Sequence, residues 1–190
     1  HKDRLISMIE KAATRMGSRL LRRWLNKPLR DRAILRHRHQ AVGALLEQEH
    51  YAALLDTLKG IGDIERIASR IALGSARPRD LSTLRQSLHV LPQVHRLMTG
   101  FDNPHLLALL QAMDWHEALR QLLDSALIDN PPVVIRDGGV IAMGYDAELD
   151  ELRNLSENAD QYLLDLEARE KVRTGIDKLK VAYNRIHGYY

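Results

Sequence analysis

The 190-residue sequence contains no cysteine and nine aromatic side chains. The lack of cysteine excludes a disulfide framework, a cysteine-ligated zinc site and a thiol nucleophile, and it fits a reducing compartment, so we expect a cytoplasmic protein. The longest unbroken apolar run, Leu106 to Leu110, is far shorter than the ~20 residues that a membrane-spanning helix needs. We therefore expect a soluble chain with no membrane partner.

Charge is unevenly distributed along the chain. Residues 1–100 hold 19 basic and 9 acidic side chains, whereas residues 101–190 hold 9 basic and 16 acidic ones. The basic excess is densest in residues 15–38, where Asp31 is the single acid. A basic run of this density is typical of surfaces that bind phosphates, but we favour the alternative of an ordinary solvated helix face paired with the acidic half. The basic side chains are Arg15, Arg19, Arg22, Arg23, Lys27, Arg30, Arg32, Arg36 and Arg38.

Apolar side chains recur every three or four residues through the first 127 residues, which predicts a body of short packed helices. A shorter helix is expected near residues 51–58, before the Gly60-Ile61-Gly62 break. Pro28 should end one helix, and Pro92 should end or kink another. The predicted N-terminal caps are Thr14, Asp31, Asp63, Asp80, Asn103 and Asp114, the last in a capping box with Glu117.

The pattern changes after Asp129. Two β-branched runs, Val133-Val134-Ile135 and Val140-Ile141, flank the segment Arg136-Asp137-Gly138-Gly139. Because Asp-Gly-Gly supplies the positive backbone angles of a tight turn, this segment predicts a small β-hairpin.

From Asp146 to Arg173 the sequence contains neither proline nor glycine, and leucine and tyrosine side chains form a narrow apolar stripe. Residues 146–170 carry nine acids against two arginines, Arg153 and Arg169. We predict one uninterrupted helix of roughly 42 Å, packed along one side and solvated elsewhere, that Gly175 ends.

The last residues have the pattern of a β-ribbon that is not complete. Leu179, Val181 and Tyr183 alternate with polar residues in the manner of a strand, and His187-Gly188 could turn the chain into Tyr189-Tyr190. An isolated two-stranded ribbon is marginal in water. We therefore expect that the native polypeptide continues and that this chain is an excised piece, which fits a sequence starting at His1.

No catalytic constellation is evident. His116-Glu117 lacks the second histidine of a zinc protease helix, because Arg120 stands in its place. No glycine-rich phosphate loop ending in Lys-Ser or Lys-Thr occurs. We expect no enzymatic activity, no bound cofactor and no metal site in this chain.

Four blocks occur in order at residues 16–29, 76–81, 136–153 and 179–190: MGSRLLRRWLNKPL, ARPRDL, RDGGVI with GYDxELDELR, and LKVxYNxxHGYY. In these blocks the chain resembles the MutS family of bacterial DNA mismatch repair proteins, from about Ile6 to Tyr190. The first helix departs from the family at Glu10, Ala12 and Arg15, where the family more often has other residues.

The resemblance implies a helical core domain at residues 1–130, a hairpin connector at 131–145, a lever helix at 146–175 and the start of a clamp domain at 176–190. For the full-length parent it implies recognition of mispaired DNA by a homodimer, an ATPase using ATP and Mg, and downstream partners such as MutL. The mismatch-contacting and nucleotide-binding residues of the family fall outside this sequence.

Our leading hypothesis is mechanical: the core anchors a stiff lever that relays conformational change between the clamp and the ATPase. The hinge candidates are Gly144, Tyr145 and Gly175. The alternative is a free-standing helical nucleic-acid-binding domain, and a protein-interaction scaffold is a third possibility. The nucleic-acid candidates of the alternative are Arg15, Arg19, Arg22, Arg23, Lys27 and Arg30.

Overall fold

The computed structural model describes residues 4–47, 51–184, 186 and 188–189, and these residues are mainly helical, as predicted. The chain divides into two compact units, His1–Ala142 and Met143–Tyr190. The eight helices described in the first unit are α1 Arg4–Ile9, α2 Arg15–Asn26, α3 Arg32–Glu47, α4 Tyr51–Leu58, α5 Ile64–Ala72, α6 Pro78–Met98, α7 Pro104–Gln111 and α8 Glu117–Ala126.

Four of the predicted helix caps are confirmed by their hydrogen bonds. The Thr14 hydroxyl accepts from the Gly17 amide at 3.0 Å, and Asp63 and Asn103 accept from amides in the first turns of α5 and α7. The Asp31 carboxylate accepts from two amides in the first turn of α3. Each cap satisfies amides that have no partner within their own helix.

Three local predictions need correction. Helix α6 begins two residues before the predicted cap Asp80, whose carboxylate instead accepts the amide of Arg77 at 3.0 Å. Of the two outcomes expected at Pro92, the end of the helix is wrong: α6 continues to Met98, because buried Leu88 and Val94 anchor it on both sides of the proline. Asp114 is not the cap of α8, because His116 occupies the cap position and the Asp114 carboxylate accepts from the His116 amide instead.

The core of the first unit consists of two apolar clusters. One joins α5, α6 and the end of α8, and the other joins α3, α7 and the loop before α7. Phe101 is almost completely buried in the second cluster. The buried members are Ile67, Leu84, Leu88, Leu123 and Leu127 in the first, and Ala41, Phe101 and Leu106 in the second.

The predicted hairpin at Val133–Ile141 is wrong. Residues Ile135–Asp137 form a short 3-10 turn, and Ile141 forms an antiparallel bridge with Leu127 instead. The amide of Ile128 donates to the Val140 carbonyl at 3.1 Å. Val140 packs on the buried Leu127 cluster, whereas Ile135 is 75% exposed, so the core selects the end of α8 as the partner.

The predicted uninterrupted helix of the second unit is also wrong in one respect. It consists of α9 Ala147–Glu157 and α10 Ala159–Thr174, separated by Asn158 at φ −109° and ψ 29°. The Asn158 amide still donates to the Asn154 carbonyl, and the Tyr162 amide donates to the Asn158 carbonyl, both at 2.9 Å. The Asn158 side chain also donates to the Asn154 carbonyl at 3.1 Å, a contact by which asparagine competes with helical bonding.

Two short strands close the described part of the chain. Strand β1, Tyr183–Asn184, pairs antiparallel with β2, Gly188–Tyr189. Residues 179–182 are not a strand, so the extended ribbon predicted from Leu179 is wrong over these residues. His187, at the predicted turn, and Tyr190 lie outside the described residues.

Candidate functional site

The basic segment of the first unit contains two arginines that are held by acids. The Arg19 guanidinium donates to both carboxylate oxygens of Asp63, at 2.6 and 2.7 Å, and to Glu65 at 2.6 Å. Arg22 donates to Glu10 at 2.6 Å. The Arg19 hydrogen bonds lower the pKa of Asp63, and the Arg22 hydrogen bond lowers the pKa of Glu10.

These bonds give Arg19 and Arg22 a structural role. Arg19 joins α2 to the beginning of α5, and Arg22 joins α2 to the segment that follows α1. The two carboxylates also raise the pKa of Arg19, so its charge is fixed. Two of the six predicted nucleic-acid residues are therefore already occupied by acids of the same unit.

A third arginine, Arg38, stacks on an aromatic ring. Its guanidinium carbon lies 3.8 Å from the ring centroid of Trp24, a cation–π contact between α3 and α2. Trp24 remains 40% exposed beside Leu20 and Leu25 at 42% and 40%. These three apolar side chains of α2 are thus only partly covered.

The other basic side chains of residues 15–38 are exposed, and within the described residues none of them forms an ion pair or a side-chain hydrogen bond. Asp31, the single acid of the segment, accepts from the amides of Ala33 and Ile34 at 2.8 and 3.2 Å. The unpaired basic side chains are Arg15, Arg23, Lys27, Arg30, Arg32 and Arg36.

Arg15 is separated from most of this group. It lines a cleft of about 330 Å³ between the N-termini of α2 and α5, together with Arg66 and Arg70. Arg70 is paired with Asp80 at 2.6 Å. The remaining five unpaired cations lie in the last turn of α2, in the connection to α3 and in the first turns of α3.

The first two hinge candidates adjoin the beginning of α9. Gly144 has φ +84°, and its amide donates to the Asp150 carboxylate at 2.6 Å. Asp146 caps α9 by accepting the Leu149 amide at 2.9 Å. Tyr145 between them is 45% exposed. The loop before α9 is therefore tied back onto the first two turns of the helix.

The third hinge candidate, Gly175, ends α10 in the left-handed conformation at φ +70°, and its amide donates to the Lys171 carbonyl. Glu167 accepts from the Lys171 ammonium at 2.6 Å and from the Val181 amide at 3.2 Å. The pKa of Glu167 is lowered first by the Lys171 hydrogen bond and then by that of Val181. The segment after Gly175 thus folds back and is fastened to α10.

The interruption at Asn158 lies in a groove of about 570 Å³ along one face of α9 and α10. Leu155 and Tyr162, one turn on either side of Asn158, are 41% and 42% exposed. The groove is bordered by the acids Asp150, Glu151 and Asp165.

A second groove, of about 510 Å³, is mostly apolar and lies between α5, α6 and α8 in the first unit. Among the described residues, no group of three or more histidine, aspartate or glutamate side chains is placed to hold a metal ion. None of the helices among these described residues has the length and apolar character needed to cross a bilayer.

Sequence reasoning missed three residues that organise these regions: Asn158, Glu167 and Arg85, whose buried guanidinium donates to backbone carbonyls of residues 127–129. Glu167 has a recognisable signal, because Lys171 follows at the i+4 position of a helix. Asn158 has a weaker one, since asparagine bonds readily to nearby backbone. The burial of Arg85 has no local signal.

The family model described as MutS domain III matches residues 1–180 of the chain.

Proposed function

Since the chain belongs to the MutS domain III family, we propose that it is the core and lever of a DNA mismatch repair protein. In this role it relays conformational change between a DNA clamp and an ATPase of the full-length parent. We also propose that DNA, ATP with Mg, a second subunit and MutL engage the parent, and that this chain alone hydrolyses no ATP.

The observation that carries the relay is the helical stretch of the second unit, which is fixed at both ends. Asp146 caps its beginning and Gly175 ends it. The 28 residues 147–174 correspond to roughly 42 Å at the ordinary helical rise. Side-chain pairs one turn apart support both helices, with Arg153–Asp150 in α9 and Lys171–Glu167 in α10.

The fastened ends suit a relay because motion at one end must move the helix rather than a loose loop. At the beginning, the Gly144 amide and the Arg153 guanidinium both bond to Asp150. At the end, Glu167 holds the returning backbone at Val181. Rigid elements of this kind carry coupling energies of typically 1 to 3 kcal/mol between distant sites.

The test is a helix-breaking substitution, Leu155→Pro, in the full-length protein. Proline removes an amide donor and clashes with the preceding turn at a cost of about 3 kcal/mol or more, so α9 should no longer transmit force. We expect the variant to bind mismatched DNA but to lose nucleotide-triggered release. Anisotropy of a labelled mismatched duplex before and after nucleotide addition measures both.

The matched control is Leu155→Ala, which removes the same exposed side chain but keeps the helix. It should release DNA as the parent does. A Leu155→Pro variant that binds DNA and releases it normally would refute the relay. If Leu155→Pro fails to bind DNA, Asn158→Pro, placed at the existing interruption, provides a milder break with the same expected loss of release.

A further inference from the structure

We propose that the connection between α2 and α3 contacts the phosphate backbone of duplex DNA. The proposed surface, here named the basic tip, consists of Arg23, Lys27, Arg30, Arg32 and Arg36. The proposal concerns the first unit and does not depend on the relay of the second.

The structure changes the charge balance that the sequence suggests for this segment. Arg19 is paired with Asp63 and Glu65, Arg22 is paired with Glu10, and Arg38 stacks on Trp24. The Asp31 carboxylate faces the amides at the beginning of α3. What remains at the tip is a set of exposed cations without acidic partners in the described residues.

Several cations elsewhere in the chain have an acid three or four residues away. Lys59 pairs with Asp56, Arg120 with Glu117, and Arg173 with Glu170. The single acid of residues 15–38, Asp31, lies four residues after Lys27, but its carboxylate accepts from the amides of Ala33 and Ile34 and forms no ion pair among the described residues. An ordinary solvated helix surface mixes the two signs, whereas a surface of one sign attracts a polyanion.

The positions of the tip residues suit the repeated phosphates of a DNA backbone rather than a single phosphate group. Lys27 and Arg30 lie in the connection between α2 and α3, and Arg23 precedes Lys27 by four residues. Arg32 and Arg36 are one turn apart on the same face of α3, about 6 Å along its axis. Duplex DNA carries one charge per ≈ 1.7 Å of its axis, so separated cations can each meet a phosphate. Contacts of this type position a protein without reading sequence.

The experiment measures binding of the 190-residue chain to a labelled 30-base-pair duplex by fluorescence anisotropy at several salt concentrations. If four to five phosphates are contacted, affinity should fall roughly 150- to 500-fold between 50 and 200 mM salt. The combined variant Arg23→Gln, Lys27→Gln, Arg30→Gln and Arg32→Gln should abolish most of this binding and flatten the salt dependence.

The matched control removes four positive charges from other exposed positions, with Lys59→Gln, Arg96→Gln, Arg136→Gln and Lys178→Gln. It should retain at least a third of the affinity and most of the salt slope. Thermal melting followed by circular dichroism tests whether both variants are folded. If either fails to fold, the single substitutions Arg30→Gln and Arg136→Gln make the same comparison, with a smaller expected difference.

Three results would overturn the proposal. The unmodified chain could show no binding at 50 mM salt, the tip variant could bind as well as the unmodified chain, or the two variants could lose affinity equally. The last result would mean that net charge, rather than this surface, attracts DNA.

Discussion

Arg85 offers the sharpest test of how the first unit is held together. It lies in the middle of α6 and is 8% exposed, an unusual position for a guanidinium. It donates to the carbonyls of Leu127, Ile128 and Asp129 at 2.9, 3.2 and 3.2 Å. These carbonyls belong to the segment that leaves α8, so Arg85 fixes the path of the chain after the helix.

The expected cost of Arg85→Met follows from these contacts. The bond to the buried Leu127 carbonyl is worth about 2 kcal/mol and the two half-buried bonds about 1 kcal/mol each, because all three have a charged donor. Removing a buried charge from a poorly solvated site recovers part of this loss. We expect a decrease of about 2 to 4 kcal/mol in the free energy of unfolding.

Urea denaturation followed by circular dichroism at 222 nm measures the change. Arg136→Met is the control, because its side chain is 89% exposed and its removal should cost less than ~0.5 kcal/mol. Arg85→Lys keeps the charge but cannot reach three carbonyls in a fork, so it should recover only part of the loss. A decrease below about 1 kcal/mol for Arg85→Met would show that the three contacts do not support the fold.

Two further predictions concern α5 and its surroundings. A Cβ at Gly62 would collide with Thr83 Cγ2, so Gly62→Ala should lower the free energy of unfolding by about 1 to 3 kcal/mol. Adding Thr83→Ser should restore most of this loss, and failure of the rescue in urea denaturation would contradict the close contact. The pKa of Asp63 is lower folded than unfolded, so its pairing with Arg19 stabilises the fold at neutral pH and this stabilisation is lost as pH falls through the lowered pKa. The unfolding midpoint should therefore drop progressively as pH falls below about 5, and Asp63→Asn, destabilised at pH 7, should show a shallower drop.

The sequence predicted those features that depend on neighbouring residues. Thr14 and Asn103 cap their helices because a short polar side chain can reach amides two or three positions ahead. Gly138 and Gly139 adopt the positive φ angles expected of their turn, at 73° and 64°. The predicted hairpin was wrong nonetheless, because Ile141 pairs with Leu127, fourteen residues earlier. Packing of Val140 on the buried cluster that contains Leu127 favours this partner.

In the candidate sites, too, the sequence predicted what neighbouring residues determine and not what distant contacts determine. The basic density of residues 15–38 was visible in the sequence, but which cations are free depends on acids such as Asp63 and Glu65 that α5 brings to α2. The hinge candidates stay predictions, although Gly144 and Gly175 do have positive φ angles at the ends of the helical stretch. A search for proline and glycine could not find Asn158, because its effect comes from side-chain bonding to Asn154.

The single-residue interruption at Asn158 restricts how the length of this region can change. Backbone hydrogen bonding continues from Asn154 to Asn158 and from Asn158 to Tyr162. The azimuth of α9, which is the direction in which its side chains point around the helix axis, is therefore carried into α10. Inserting or deleting one residue would rotate everything beyond it by about 100° and shift it by about 1.5 Å. A seven-residue change would restore the azimuth to within ~20°. Viable length variants should therefore differ by whole heptads, each of which would displace the far end by about 10 Å.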